Sequence, residues 1–99
     1  MSYRFHPEAL AEYQDAAQYY VERDPALAGR FIVAVEDAIR RIVEAPQRWQ
    51  VLDEDVRRCL TRVFPYGVLF TVETDFILIV AVMHTSREPG YWKQRVAAG

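Results

Sequence analysis

The sequence predicts an α+β domain in which a two-helix hairpin covers one face of an antiparallel sheet. The element order is β-α-α-β-β-β, closed by a short C-terminal helix. Three observations predict it. Apolar residues recur at three and four in the first half of the chain and at two in the second. The step Asp24-Pro25 divides the helical half without a linker. Phe64-Pro65-Tyr66-Gly67 and Thr74-Asp75 punctuate the second half as turns.

Tyr3 to His6 alternates ahead of a proline and suits an edge strand. From Pro7 a helix shows Leu10, Tyr13, Ala16, Ala17, Tyr20 and Val21 on one side, with Glu8, Glu12, Asp15, Gln18 and Glu22 opposite. Asp24 caps a second helix with Pro25 in its first turn. Its stripe is Ala28, Phe31, Ile32, Val35, Ala38, Ile39 and Ile42, and Pro46 ends it near Ala45. A connection this short folds the two helices into an antiparallel hairpin.

Pro46 to Asp55 reads as a polar loop containing Trp49. Val56 to Val63 alternates, with Arg57, Cys59 and Thr61 on one side and Arg58, Leu60 and Arg62 on the other. The four residues from Phe64 to Gly67 fit a type I turn, with proline second and glycine fourth. Val68 to Glu73 follows as a strand, and Phe76 to Met83 is an apolar run suited to burial on both faces. Tyr91 to Ala98 is read as the last short helix. Leu10, Tyr13, Phe31, Val35, Ile39, Leu78 and Val80 are expected in a single core.

A chain of 99 residues, 52% apolar and 26% charged, indicates one globular domain over 1–99 rather than a disordered or fibrous protein. Its one cysteine, Cys59, allows no disulfide framework and fits a reducing compartment. The run from Phe76 to Met83 is far shorter than the ~20 apolar residues of a membrane span. The N-terminus shows no apolar signal core, so a cytoplasmic protein is expected. Charge is uneven: residues 1–55 carry six arginines against eleven acids, and 56–99 carry six lysines or arginines against three. A surface for an acidic partner therefore belongs to the second half.

His6, Cys59 and His84 lack metal-ligand spacing, and the glycines are too scattered for a phosphate loop. No metal and no cofactor are expected. The helix pair lies in the acidic half, where phosphates would repel it, which argues against a DNA-reading helix-turn-helix.

The order of elements, together with FHPEALAEYQDAAQYY, RRCLTRVFPYGVLFTVE and AVMHTSREPGYWKQR, resembles the RelE/ParE superfamily of type II toxin–antitoxin toxins, and within it the ParE-like, plasmid-stabilisation type. The specific part is Phe64-Pro65-Tyr66 combined with His84-Thr85-Ser86-Arg87, Tyr91-Trp92 and Arg95. The resemblance covers nearly the whole chain. It implies a toxin neutralised by a cognate antitoxin, as a homodimer or a toxin–antitoxin hetero-oligomer, without a membrane partner.

One branch of the superfamily poisons DNA gyrase and another cuts mRNA on the ribosome. For the second, the resemblance implies His84, Arg87 and Tyr91 as the catalytic set of a metal-independent endoribonuclease, because cleavage needs a base, an acid and cations on the scissile phosphate. For target binding it implies Arg57, Arg58, Arg62, Arg87, Trp92 and Arg95. Simpler readings stand beside these. The strand arginines can be a solvated face, His84 a structural histidine, and Tyr91 and Trp92 anchors for the C-terminal segment. Cys59 reads as packing. The acidic pI near 5.6 and the solitary Lys93 rank the gyrase branch first. The ribonuclease, and a module that binds antitoxin without being toxic, are the alternatives.

Overall fold

The computed structural model describes residues 1–96. Strand β1 (Ser2–Phe5) leads into helices α1 (Pro7–Arg23) and α2 (Pro25–Glu44). A single 3-10 turn over Pro46–Arg48 precedes β2 (Gln50–Asp53), β3 (Val56–Leu60), β4 (Tyr66–Val72) and β5 (Phe76–His84). The architecture is α+β, with the sheet in the order β1-β5-β4-β3-β2. Local chemistry sets the helix ends. His6 Nδ1 accepts from the Glu8 amide at 3.1 Å, and Asp24 Oδ1 accepts from the Ala26 amide at 3.0 Å. Each cap is followed by a proline at the first helical position, where a missing N–H costs nothing.

Several expectations are corrected. The sheet is mixed, because β1 pairs parallel with β5 while the other neighbours are antiparallel. The stretch read as a polar loop contains the edge strand β2, drawn in by the antiparallel ladder with β3. β3 ends at Leu60 rather than Val63, and the turn lies earlier than Phe64 to Gly67. The Thr61 amide donates to Tyr66 O at 2.9 Å, so Tyr66 and Gly67 already belong to β4. Gly67 serves packing instead of turning: a Cβ there would meet the Arg58 Cδ at 3.1 Å, so its absence lets the arginine stem lie across the sheet. The C-terminal helix is reduced to one 3-10 turn over Lys93–Arg95, and Ala97 and Ala98 fall outside the described residues.

The expected single core is two. On the helix face, Phe31, Val35, Ala38, Ile39 and Ile42 pack on Cys59, Val68, Phe70, Ile77, Ile79 and Val82, with Tyr13, Tyr20 and Phe64 around them. On the far face, Val56, Leu69, Val80, Ala81 and Met83 are covered by Trp92, with Tyr91, Val96 and Leu78 at the margin. Alternation along β5 lets one strand serve both cores, and the bulge between Leu69 and Phe70 opposite it sets Val80 and Ala81 on the same side. Leu10, Val21 and Ile32 are exposed although they were expected on the buried stripes. In α1 the buried positions are Ala9 and Ala16, whose small side chains bring the helix close to the sheet.

Candidate functional site

β1 ends at Phe5, opposite Ile79, so the edge of β5 beyond that point lacks a neighbouring strand. Backbone groups left in that position need partners. Two side chains supply them. Glu12 Oε1 accepts from the Val82 amide at 3.0 Å, and the Arg95 guanidinium donates to Val80 O at 3.0 Å. The two then pair with each other through two bonds of 2.9 Å, and the Tyr91 hydroxyl donates to Glu12 Oε2 at 2.6 Å. Arg95 is 7% and Glu12 17% exposed in the side chain. The C-terminal segment is thus fastened to α1 and β5 by a largely buried cluster.

This cluster fixes protonation. Burial, then the hydrogen bond to Glu12, pushes the Tyr91 phenol well above its ordinary value, and the bond to Glu12 keeps Arg95 firmly charged. Glu12 was read from the sequence as solvent-facing. The signal that finds it is its place between Ala9 and Ala16, three residues after one and four before the other, on the face that the two small residues bring to the sheet.

The arginines divide sharply. Arg57 donates to the carbonyls of Gln47 and Trp49 at 3.1 and 2.8 Å and to Gln47 Oε1 at 3.0 Å, which pins the segment after α2. Arg58 lies over Gly67 and reaches toward Gln50. Arg62 stands 70% exposed at the β3–β4 turn, 3.9 Å from Asp37. The hydrogen bond from Arg40, followed by the charge of Arg41, holds the Asp37 carboxyl below its usual range. Arg87 stacks on the Tyr91 ring at 3.7 Å and remains half exposed. Trp92 is buried at 4%.

His84 closes β5 beside Tyr66, with ring centroids 5.2 Å apart, and its Nδ1 accepts from the Ser86 amide at 3.0 Å. That bond places the proton of the neutral ring on Nε2. The Thr85 amide donates to Pro65 O at 2.9 Å and joins this segment to the β3–β4 turn. The structure therefore brings His84, Arg62 and Arg87 toward one end of the sheet, and sets Tyr91, Trp92 and Arg95 inward against α1 and the far face. Burial raises the Cys59 thiol above its ordinary value, as expected of a packing residue.

A cavity of about 570 Å³ opens on the far face between the β2–β3 turn, the β4–β5 turn and the C-terminal segment. Asp53, Glu54, Asp55 and Glu73 line it, with Lys93 3.2 Å from Asp53. Its wall is acidic, unlike the His84 end. No helix among the described residues is long and apolar enough to cross a membrane.

A helix hairpin on a five-stranded mixed sheet has a counterpart among solved structures. A chain titled "Chromosomal ParDE TA system from P. aeruginosa" superposes with a TM-score of 0.74 at 17% identity, covering 85% of this chain and 95% of that one. The likeness is one of fold. The family model described as ParE toxin of type II toxin-antitoxin system, parDE, matches residues 3–89, and the chain belongs to that family. No curated protein matches the sequence.

Proposed function

We propose that this type II toxin acts on a DNA gyrase subunit in the cytoplasm and is neutralised by a cognate antitoxin. The observation that carries the preference for gyrase over ribosome-bound mRNA is the Tyr91 hydroxyl. The hydroxyl donates to Glu12 at 2.6 Å and its pKa is raised, so it keeps its proton and is a poor base at neutral pH. Arg95 is committed to the same carboxylate, and Arg57 to backbone carbonyls. A nuclease that used Tyr91 with His84 and Arg87 would first have to break the Tyr91–Glu12 bond. Binding a protein through the exposed Arg62 and Arg87 requires no such rearrangement.

An antitoxin segment fits the helix hairpin, where Leu10, Val21, Ile32 and Val33 are exposed. It also fits the groove of about 450 Å³ beside β1, where Tyr3, Ile39 and Val43 meet Glu36, Arg40 and Glu44. The product is a toxin–antitoxin hetero-oligomer. Induction in cells tests the proposal. Replication block with gyrase-linked DNA breaks, relieved by co-expression of the neighbouring gene's product, is expected. Intact chromosomes with cleaved message would reject the gyrase target.

A further inference from the structure

Among the described residues only two besides glycine adopt positive φ, Glu54 at 48° and Val63 at 74°. Glu54 sits in the short turn between β2 and β3, where such values are ordinary. Val63 is different. A β-branched residue is a poor occupant of this region, because its Cβ substituents crowd the backbone. The Phe64 amide donates to Arg62 O at 2.8 Å, which closes a γ-turn of the rare, strained kind centred on Val63. The side chain gains no burial in return: Val63 is 98% exposed.

Both flanks of the turn are fixed. Phe64 packs between Tyr20 and Phe31, with centroids 5.4 and 5.5 Å away, and the Thr61 hydroxyl bonds to Phe64 O and Tyr66 O. Val63 is therefore held outward on a rigid support, the condition under which a contact residue loses little freedom on binding. The hairpin that carries it is basic: residues 56–72 contain three arginines and no acid, and Arg62 beside the tip is 70% exposed, 3.9 Å from Asp37 of α2. Leu60, about half exposed, extends the apolar surface at the end of β3.

We infer that Val63 is a specificity-determining contact residue of the toxin, seated in an apolar recess of an acidic protein surface while Arg62 meets a carboxylate on the recess's rim. The inference rests on the reading that this toxin works by binding a target protein, and it adds where that target is held. A protein fits better than nucleic acid. Arg57 is spent on backbone carbonyls and the Arg58 stem lies across the sheet, so the tip offers too few free cations to track a phosphate backbone.

Val63→Gly and Val63→Asn both accept positive φ and both remove the aliphatic tip. Each is expected to melt at or above the wild-type temperature, and each to lose about tenfold or more in growth arrest on induction and in inhibition of supercoiling by the gyrase holoenzyme. Arg62→Glu should lose activity in the same direction. Full growth arrest by either Val63 variant would overturn the inference. If the wild type arrests growth but leaves gyrase untouched, the gyrase reading fails, and Val63 is still judged on growth arrest. A wild type that arrests nothing overturns both. If wild type binds plain duplex DNA and the Val63 variants do not, the partner is nucleic acid and the inference is wrong.

Discussion

The two faces of the sheet are closed by different means. The helix face is sealed by large aromatic and branched side chains, with Phe31 fully buried among Tyr13, Tyr20, Phe64 and Tyr66. The far face is smaller. A short C-terminal segment closes it, held by Trp92 on one side and by the Glu12, Tyr91 and Arg95 cluster on the other. The lesson is that a short chain can cover a second face without a second layer of helices, provided buried polar groups are fully paired. The far face should therefore respond to charge, and the helix face to volume.

The largest effect is expected in the aromatic core. Phe31→Ala should cost about 3–5 kcal/mol in denaturant unfolding, since four rings lose their common neighbour. Glu12→Gln comes next, at about 2–3 kcal/mol, because the buried Arg95 would keep only the largely exposed Glu8, 3.7 Å away, as a counter-charge. A smaller loss for Phe31→Ala than for Glu12→Gln would invert the comparison. Leu78→Ala should cost less than about 2 kcal/mol, because Leu78 lies at the open margin of the far core.

The smallest effect is on pH. A phenol raised in the folded state contributes stability that is intact below its unfolded value of 10.0 and is lost as pH climbs from there toward the folded value. Wild type should therefore lose melting temperature above pH 10. Tyr91→Phe should remove part of that slope and leave the parts due to Tyr13, whose phenol is raised by burial and by its bond to Glu36, and to Tyr66, raised by burial. Identical alkaline slopes for the two proteins would show that Tyr91 is not held as described.

Much of this was legible in the sequence, for physical reasons. Pro7, Asp24-Pro25 and Pro46 are local signals, and the helix bounds they imply agree with the structure to within a residue or so. β2 escaped because Gln50–Asp53 is short and only half apolar, and its pairing with β3 is a tertiary event with no local pattern. The turn lies earlier than the favoured turn residues proline and glycine suggest, because it is made by the Thr61 hydroxyl and the backbone bond from Phe64 to Arg62, which composition does not reveal. At the site, residue types were readable but commitments were not. Arg57 and Arg62 look alike in the sequence, yet one is bonded to two carbonyls and the other stands in water. Glu12 and Arg95 are 83 positions apart and meet only through the fold.

The most direct test of the central claim, that the C-terminal cluster fastens the fold and is no nuclease centre, is primer extension on ribosome-bound message beside a gyrase supercoiling assay. Each assay would use wild type, His84→Ala, Arg87→Ala and Tyr91→Phe. Uncut message is expected with all four proteins, together with inhibition of supercoiling by the wild type that is largely kept in Tyr91→Phe. Message cleaved by wild type and spared by the His84 or Tyr91 variant, with supercoiling untouched, would contradict it.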